Sequence, residues 1–381
     1  MSQLNYLEKL LDGVDVEWLP MKSLCSTITT GKLNANAMED DGIYPFYTCN
    51  ENPYKINSYA FDLEAIIISG NGSQVGHLNY YKGRFNAYQR TYVVGGFEEK
   101  IIVMYLFHYL NYTLKSYITQ NSRKGSVPYI TMPMLENFQV PIPCPDNPEK
   151  SLAIQAEIVR VLDAFTAMTT ELTAELNMRK KQYNYYRDQL LSFEEGEVEW
   201  KALGKIAEIN TGQKPSEILD TEAEFDYINA GTTRSGYCAL SNCEGDTVTT
   251  PSRGQGGIGF VGYQNKSFWL GPLCYKIRSI DNKVLINKYL FYILQSKNQL
   301  LLGLKKEGGV PAVNKSDLAK LEVPVPSVTE QERIVEILDK FDTLTTSIQE
   351  GLPCEIELRQ RQYEYYRDLL LSFPKPEEAA A

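Results

Sequence analysis

QYNYYRDQLLSF occupies residues 182–193 and QYEYYRDLLLSF residues 362–373, identical at ten of twelve positions across an interval of 180 residues. A stretch stated twice at that distance makes the chain a repeat, and the rest of the repeat can be sought around it. VEW recurs at 16–18 and 198–200, TGK at 30–32 answers TGQK at 211–214, and YLFHYL at 105–110 answers YLFYIL at 289–294. GSVPYI at 125–130 pairs with GGVPAV at 308–313, VPIP at 140–143 with VPVP at 323–326, and QAEIVRVLDAF at 155–165 with QERIVEILDKF at 331–341. The matches keep one order and nearly one offset, so the chain carries two copies of one unit. A further echo, YLEKLLDGVDVEW at 6–18 against YRDQLLSFEEGEVEW at 186–200, opens the chain with the end of a helical unit. A repeat cut in mid-unit predicts a circular, pseudo-twofold arrangement with its two termini close together.

Each copy has two parts. About 130 residues mix short apolar runs with Gly, Asn and Pro punctuation, as in EAIIISGNG, QRTYVVGG and SFWLGPLCYKI. These read as strands, with helices over 102–117 and 286–302, and predict α/β domains with irregular β content. The PIP and PVP segments stop them, because Pro-X-Pro continues neither a helix nor a central strand. A long helix comes next. Ile158, Leu162, Phe165, Met168, Leu172, Leu176, Tyr183, Tyr186 and Leu190 fall at three- and four-residue steps, with Arg179 filling the one between Leu176 and Tyr183, and no Gly or Pro interrupts 152–193. Ile334, Leu338, Phe341, Leu344, Ile348, Leu352, Arg359, Tyr363, Tyr366 and Leu370 repeat that seam. The pattern is that of a coiled coil, with about 40 residues of helix spanning roughly 60 Å. So long a helix needs a partner, and the other copy, running antiparallel, supplies one. The offset between copies grows from 176 at Gln155/Gln331 to 180 at Gln182/Gln362, so the second helix holds four more residues, near GLP at 351–353. Gly351 and Pro353 are expected to break it there.

Bulk properties exclude several classes. No run of eighteen apolar residues predicts a membrane span, and the first residues, MSQLNYLEKLLDG, lack a signal-peptide core. A cytoplasmic location is expected. Seven cysteines without CxxC spacing predict reduced thiols, neither a disulfide framework nor a zinc ribbon. Two histidines leave little for a His-based metal site or a nucleophilic triad. The net charge of −10 is unfavourable for nucleic acid, but its distribution decides. Lys+Arg against Asp+Glu stands at 10 to 10 over 16–143, at 15 to 13 over 198–326, and at 5 to 10 over 327–373. The two large segments are near neutral and can each hold a local basic groove.

The combination of the VPIP and VPVP junctions, QAEIVRVLD, QERIVEILDKFDTLT, TELTAEL, GLPCEIELRQRQYEYYRD and the paired YYRD–LLSF ends resembles the specificity (S) subunit of Type I restriction–modification enzymes over essentially the whole chain. YLEKLLDGVDVEW is most similar to the IC-type branch. The resemblance implies an α+β protein of two pseudo-twofold-related target-recognition domains, 16–148 and 196–327. Antiparallel coiled-coil spacer helices, 149–195 and 328–373, separate them, residues 1–15 complete the helical region, and 374–381 form a tail. It further implies a non-catalytic subunit that reads a split, asymmetric DNA target with a fixed gap. It would dock two methyltransferase subunits and, through them, restriction/translocase subunits. S-adenosylmethionine, ATP and Mg2+ would sit on those partners. Tandem four-residue units such as TTELTAEL (169–176) resemble the spacers that set the gap. The chain has no N/D-P-P-F/Y tetrapeptide, so methyl transfer falls to a partner.

SRGQGGIG (252–259) contains GxGxxG at Gly254, Gly256 and Gly259. Alone it suggests a cofactor loop. The next residues, FVGYQNKSFWLGP, do not read as a helix, and the matching stretch SGNGSQVG (69–76) supports a turn that approaches DNA. The competing readings are a stand-alone enzyme using these loops and a coiled-coil adaptor without DNA binding. Base readout calls for Arg or Lys at guanine, Asn or Gln at adenine, and Ser or Thr as adaptable partners. In the first copy the candidates are Thr30, Lys32 and Asn34; Ser69, Asn71, Ser73 and Gln74 with Gln89 and Arg90; and Arg123 and Lys124. In the second they are Gln213 and Lys214 with Thr232, Thr233 and Arg234; Arg253 and Gln255; and Lys305 and Lys306. Arg253 is assigned to a base and Lys305/Lys306 to phosphates. On the helices, Tyr183, Tyr186, Tyr363 and Tyr366 are placed on the seam. Tyr185 and Tyr365, with Arg187 and Arg367 beside them, are placed towards a partner.

Overall fold

A computed structural model of the chain describes residues 10, 13, 15–122, 128–194, 196–254, 256–306, 311–347 and 349–373. The chain divides into two compact units, Met1–Glu171 with Ile356–Ala381, and Leu172–Glu355. The helical opening expected at 6–13 falls almost wholly outside the described residues, as does the tail. Among the described residues no helix is long and apolar enough to cross a membrane.

The first unit runs β1 (Val16–Pro20), β2 (Cys25–Thr30), β3 (Tyr44–Tyr47), β4 (Tyr54–Ile56), β5 (Phe61–Ser69), β6 (Leu78–Ala87), β7 (Thr91–Phe97), α1 (Val103–Asn121), α2 (Met132–Glu136), β8 (Gln139–Pro143) and α3 (Pro148–Leu190), whose first half belongs to it. Six strands form one sheet in the order β2-β7-β5-β6-β3-β4, antiparallel except for β3 beside β6. The run EAIIIS makes β5 its centre because both faces are covered. Ile66 and Ile68 join the core under α1, whereas Ala65 and Ile67 pack with Tyr47, Phe85 and Val93 on the other face. Helix and sheet are mixed, as the α+β class requires, but inside this unit the alternation of an α/β pattern is absent: β1–β7 come before the helices, β8 after α2, and largely antiparallel ladders carry the sheet.

The second unit runs β9 (Glu199–Ala202), α4 (Leu203–Ile206), β10 (Ala207–Thr211), β11 (Phe225–Ile228), β12 (Tyr237–Cys238), β13 (Thr247–Pro251), β14 (Gly262–Gln264), β15 (Trp269–Leu270), β16 (Cys274–Ser279), α5 (Asn287–Ser296), α6 (Asn298–Gly303), α7 (Lys315–Leu318), β17 (Glu322–Val325), α8 (Val328–Thr346) and α9 (Leu352–Leu371). From Ile356 on, α9 belongs to the first unit. Here the strands split into β10-β16-β13-β14 and β12-β11-β15. The helix expected over 286–302 is two helices, because Lys297 leaves helical geometry between them at φ −101 and ψ 25.

Corresponding joints recur inside each unit. The proline-rich segments form separate two-stranded ladders, β1 with β8 and β9 with β17, where a missing N–H is tolerated. Tyr105 donates to Pro141 O at 2.8 Å and Tyr289 to Pro324 O at 3.1 Å. Gln155, fully buried, accepts from Ile102 N at 2.9 Å and donates to Lys100 O at 3.0 Å. Gln331, fully buried, accepts from Ile286 N at 2.9 Å and donates to Val284 O and Pro326 O at 2.9 Å. Each glutamine thus ties a long helix to the entry of the helix that covers its sheet. Phe165 stacks on Tyr366 at 5.2 Å in the first unit, and Phe341 on Tyr186 at 5.7 Å in the second. Ser327 caps α8 by accepting from Glu330 N. The interruption expected near 351–353 is present: α8 ends at Thr346 and α9 starts at Leu352, with Pro353 in its first turn. A Cβ on Gly351 would lie 2.4 Å from Thr343 O, so only glycine lets the connection fold back on α8.

Candidate nucleic-acid interface

In the first unit the Gly-rich turn after β5 is pinned on both sides. Gly70 N donates to Arg90 O at 2.9 Å, and Ile130 N donates to Gly70 O at 2.9 Å. Asn71 pairs with Tyr129 in an isolated antiparallel bridge, and Tyr92 Oη donates to Ile130 O at 2.8 Å. A Cβ on Gly70 would stand 2.3 Å from Arg90 O, which explains the glycine. These bonds gather Asn71, Gln89, Arg90 and Tyr129 around an open cleft of ≈ 560 Å³. Lys32 and Asn34, both exposed, are drawn towards the same segment because Gln89 N donates to Leu33 O at 2.9 Å and Leu33 bridges Tyr88. Gly31 permits that approach, since a Cβ there would lie 1.8 Å from Ala87 O. Thr30 is half-buried in β2, opposite Tyr92. Ser73 and Gln74 are exposed on the turn but do not line the cleft. Ser69 is corrected outright. It is 2% exposed, its carbonyl accepts from Gly76 N and its N–H donates to His77 O, so it holds the turn and cannot touch a base. Arg123 and Lys124 lie outside the described residues.

In the second unit Arg253 is exposed and bridges Ala312, while Lys306 N donates to Ala312 O at 2.9 Å. Arg253 and Lys306 therefore meet at Ala312, which brings together two groups that stand apart in the sequence. Lys306 Nζ also pairs with Asp317 at 2.9 Å and holds that carboxyl below its usual range. Burial pushes the Tyr275 phenol up, and a hydrogen bond with the Lys315 backbone, then the charge of Arg253, draw it part of the way back. Thr232, Thr233 and Arg234 line a different cleft, of ≈ 740 Å³, with Phe260, Gln264 and Lys288. Arg234 lies over the Tyr237 ring at 4.6 Å and pairs with Asp226 at 3.5 Å. Gln213 and Lys214 are exposed, and Gln213 is fixed by Trp269 Nε1 donating to its carbonyl at 2.8 Å. Gln255 lies outside the described residues.

Gly254, Gly256 and Gly259 all have positive φ (121, 85 and 91). The turn leads into β14, so it lacks the helix N-terminus that receives a pyrophosphate in a cofactor loop. Tyr129 and Phe260 were not singled out from sequence. Each is an exposed aromatic in a cleft wall, at 42% and 39% exposure. The echo of GSVPYI in GGVPAV was the available signal for Tyr129, since it marks an aromatic where the other copy has alanine.

On the helices, Tyr185 and Tyr365 are 62% and 49% exposed. Tyr183 and Tyr363 pack against the cores of their own units, and Tyr186 and Tyr366 make the stacks described above. The arginines placed beside the outward tyrosines are occupied at home. Arg187 lies over Tyr183 and pairs with Asp188 at 2.8 Å, and Arg367 lies over Tyr112 and Tyr363 and pairs with Asp368 at 2.6 Å.

The family model of the Type I restriction modification DNA specificity domain matches twice, at residues 14–179 and 195–358. The EcoR124I/EcoR124II specificity subunit of Escherichia coli is 38% identical over 99% of each chain. The EcoprrI specificity subunit of the same organism is 35% identical over 92% of this chain and 93% of its own. Among solved structures, the S subunit of the Type I system from M. genitalium has a TM-score of 0.68 at 18% identity, covering 96% of this chain and 98% of that one, a likeness of fold.

Proposed function

The chain belongs to the Type I restriction–modification DNA specificity family as a non-catalytic recognition subunit, and on that premise we propose that it reads a bipartite, asymmetric DNA target. One half-site falls to 16–148 and the other to 196–327, with the helices 149–195 and 328–373 as an antiparallel coiled-coil spacer between two pseudo-twofold-related readers. One observation carries the reading: the joints inside the two units correspond, glutamine for glutamine and tyrosine for tyrosine, while the clefts present different side chains. Copies that conserve their frame and vary their tips suit two readers of unlike half-sites. Sequence would be read by Asn71, Gln89, Arg253 and their neighbours, and phosphates held by Arg90, Lys32 and Lys305. Tyr185 and Tyr365 offer amphipathic rings for docking two methyltransferase subunits and, through these, restriction/translocase subunits. S-adenosylmethionine, ATP and Mg2+ would be used by those partners.

The test is to sequence methylated adenines in DNA from cells carrying this chain with its methyltransferase. Two short motifs at a constant separation are expected. A single continuous motif, or methylation without sequence preference, would refute the reading. A gel shift across salt concentrations, with and without the methyltransferase, separates it from an adaptor role, because phosphate contacts make affinity fall steeply with salt.

A further inference from the structure

We infer that Asn71 with Tyr129 in the first unit occupies the same reading position as Arg253 with Ala312 in the second, so that the two half-sites differ at this matched base, adenine at the first and guanine at the second. The inference rests on the proposed DNA reading and adds to it which residues correspond and which base each takes.

The equivalence comes from hydrogen bonds, residue by residue. Asn71 bridges Tyr129 and Arg253 bridges Ala312, both antiparallel. On one flank Ile130 N donates to Gly70 O, and Val313 N to Ser252 O, each at 2.9 Å. On the other, Gly70 N donates to Arg90 O, and Ser252 N to Leu273 O, each at 2.9 Å. A tyrosine hydroxyl closes the frame in both units, Tyr92 to Ile130 O at 2.8 Å and Tyr275 to Val313 O at 3.0 Å. The bonded frame sets Asn71, and not Gly70, opposite Arg253, and the second turn then holds one more residue than the first. Gly72 and Gly254 have φ of 84 and 121, and where the turns come back into step a Cβ on Gly76 or Gly259 would strike Ile118 or Leu302 at 2.9 or 2.7 Å.

A backbone held this closely in common leaves the side chain as the variable. The two side chains are those that read the two purines. An asparagine amide accepts from adenine N6 and donates to N7, whereas a guanidinium donates to guanine O6 and N7. Both pairings use the N7 edge in the major groove, so the base can change without the reader moving. The neighbours fit the change in length. Ala312 leaves room beside the longer arginine, and the Tyr129 ring lines the cleft beside the shorter asparagine.

The test uses the full chain with its methyltransferase. Methylated-adenine sequencing is run for the unaltered chain, for Asn71→Arg with Tyr129→Ala, and for Arg253→Asn. The first variant should move one position of one half-site from adenine to guanine and leave the other half-site and the gap intact. Arg253→Asn should make the reciprocal change in the other half-site. The untouched half-site reports that each variant has folded and assembled. Because a new guanine could remove the methylated base itself, binding of the Asn71→Ala complex is also measured on duplexes carrying each base at that position. Its preference should flatten by on the order of tenfold. An unaltered preference, or equal changes in both half-sites, overturns the inference while leaving a split target standing. An unaltered chain that directs no split motif overturns the proposed function with it.

Discussion

Replacing Gln331 by methionine tests the joint that fastens the second reader to its long helix. The side chain is fully buried and makes three hydrogen bonds, accepting from Ile286 N and donating to Val284 O and Pro326 O, each at 2.9 Å. Methionine keeps the volume and removes all three. The Ile286 N–H, just ahead of the first turn of α5, is left buried without an acceptor, at a cost of about 1–3 kcal/mol. The two carbonyls lose a donor but keep a second lone pair, so they add less. Lost bonds and orphaned groups together come to roughly 2–4 kcal/mol, reduced somewhat by the easier burial of a thioether. For a unit of this size that corresponds to a fall in midpoint of roughly 5–15 °C. Thermal unfolding of the full chain measures the shift. Hydrogen exchange followed by mass spectrometry locates it, with faster exchange expected in peptides spanning 284–295 and little change in those spanning 100–118. Gln155→Met should produce the converse pattern, since it accepts from Ile102 N and donates to Lys100 O. A loss below about 0.5 kcal/mol, or exchange rising equally in both units, would refute the claim that each glutamine fastens its own reader.

Arg253→Ala should change the preferred sequence of one half-site, whereas Lys305→Ala should weaken all duplexes alike and lower the salt slope by about one unit, both read from binding titrations over ionic strength. Tyr185→Ala and Tyr365→Ala should leave the melting temperature within about 2 °C and weaken capture of the methyltransferase in a pull-down. Phe341→Ala, which removes the half-buried ring stacked on Tyr186, should lower the stability of the chain by about 1–2 kcal/mol in urea unfolding. Alkaline titration should show delayed phenols. Burial pushes Tyr47, Tyr109 and Tyr183 up to about 12 from the usual 10.0. The unfolded chain then ionises first, so their contribution is complete below pH 10 and is lost as pH rises towards 12. Tyrosinate absorbance rising for every tyrosine near pH 10 in the folded chain would contradict their burial.

The helices were legible because their signal is local. Three- and four-residue spacing places Phe165 and Phe341 on a seam, and GLP announces the interruption between α8 and α9 within a few letters. Strand pairing was not legible in the same way. EAIIIS marks a buried strand, but nothing in it says that β7 and β6 flank it antiparallel, and α/β and α+β domains share such runs. Polar type also says nothing of facing. Ser69 and Ser73 look equivalent in SGNGSQVG, yet one closes the strand with both backbone groups bonded and the other points to solvent. For Arg187 and Arg367 a tyrosine four residues before lies within reach on a helix, and Tyr183 and Tyr363 are rings found beneath them; the pairs with Asp188 and Asp368, one residue on, are not foretold by helical spacing.

What no local pattern could supply is the meeting of distant segments. Leu33 reaches Tyr88, Asn71 reaches Tyr129, and Arg253 and Lys306 converge on Ala312, across intervals fixed only when the sheets form. Those bonds are made by backbone atoms, so any side chain that avoids a clash can occupy the tips without disturbing them. The glycines mark where that freedom ends. At Gly31 and Gly212 a Cβ would meet a carbonyl oxygen at 1.8 and 1.9 Å, and no substitution can be accommodated. One position further along, in Lys32 and Gln213, the side chain is exposed and free to differ. A frame built this way leaves the tips free to vary, because folding depends on the backbone bonds and glycines of the frame and not on the side chains it carries.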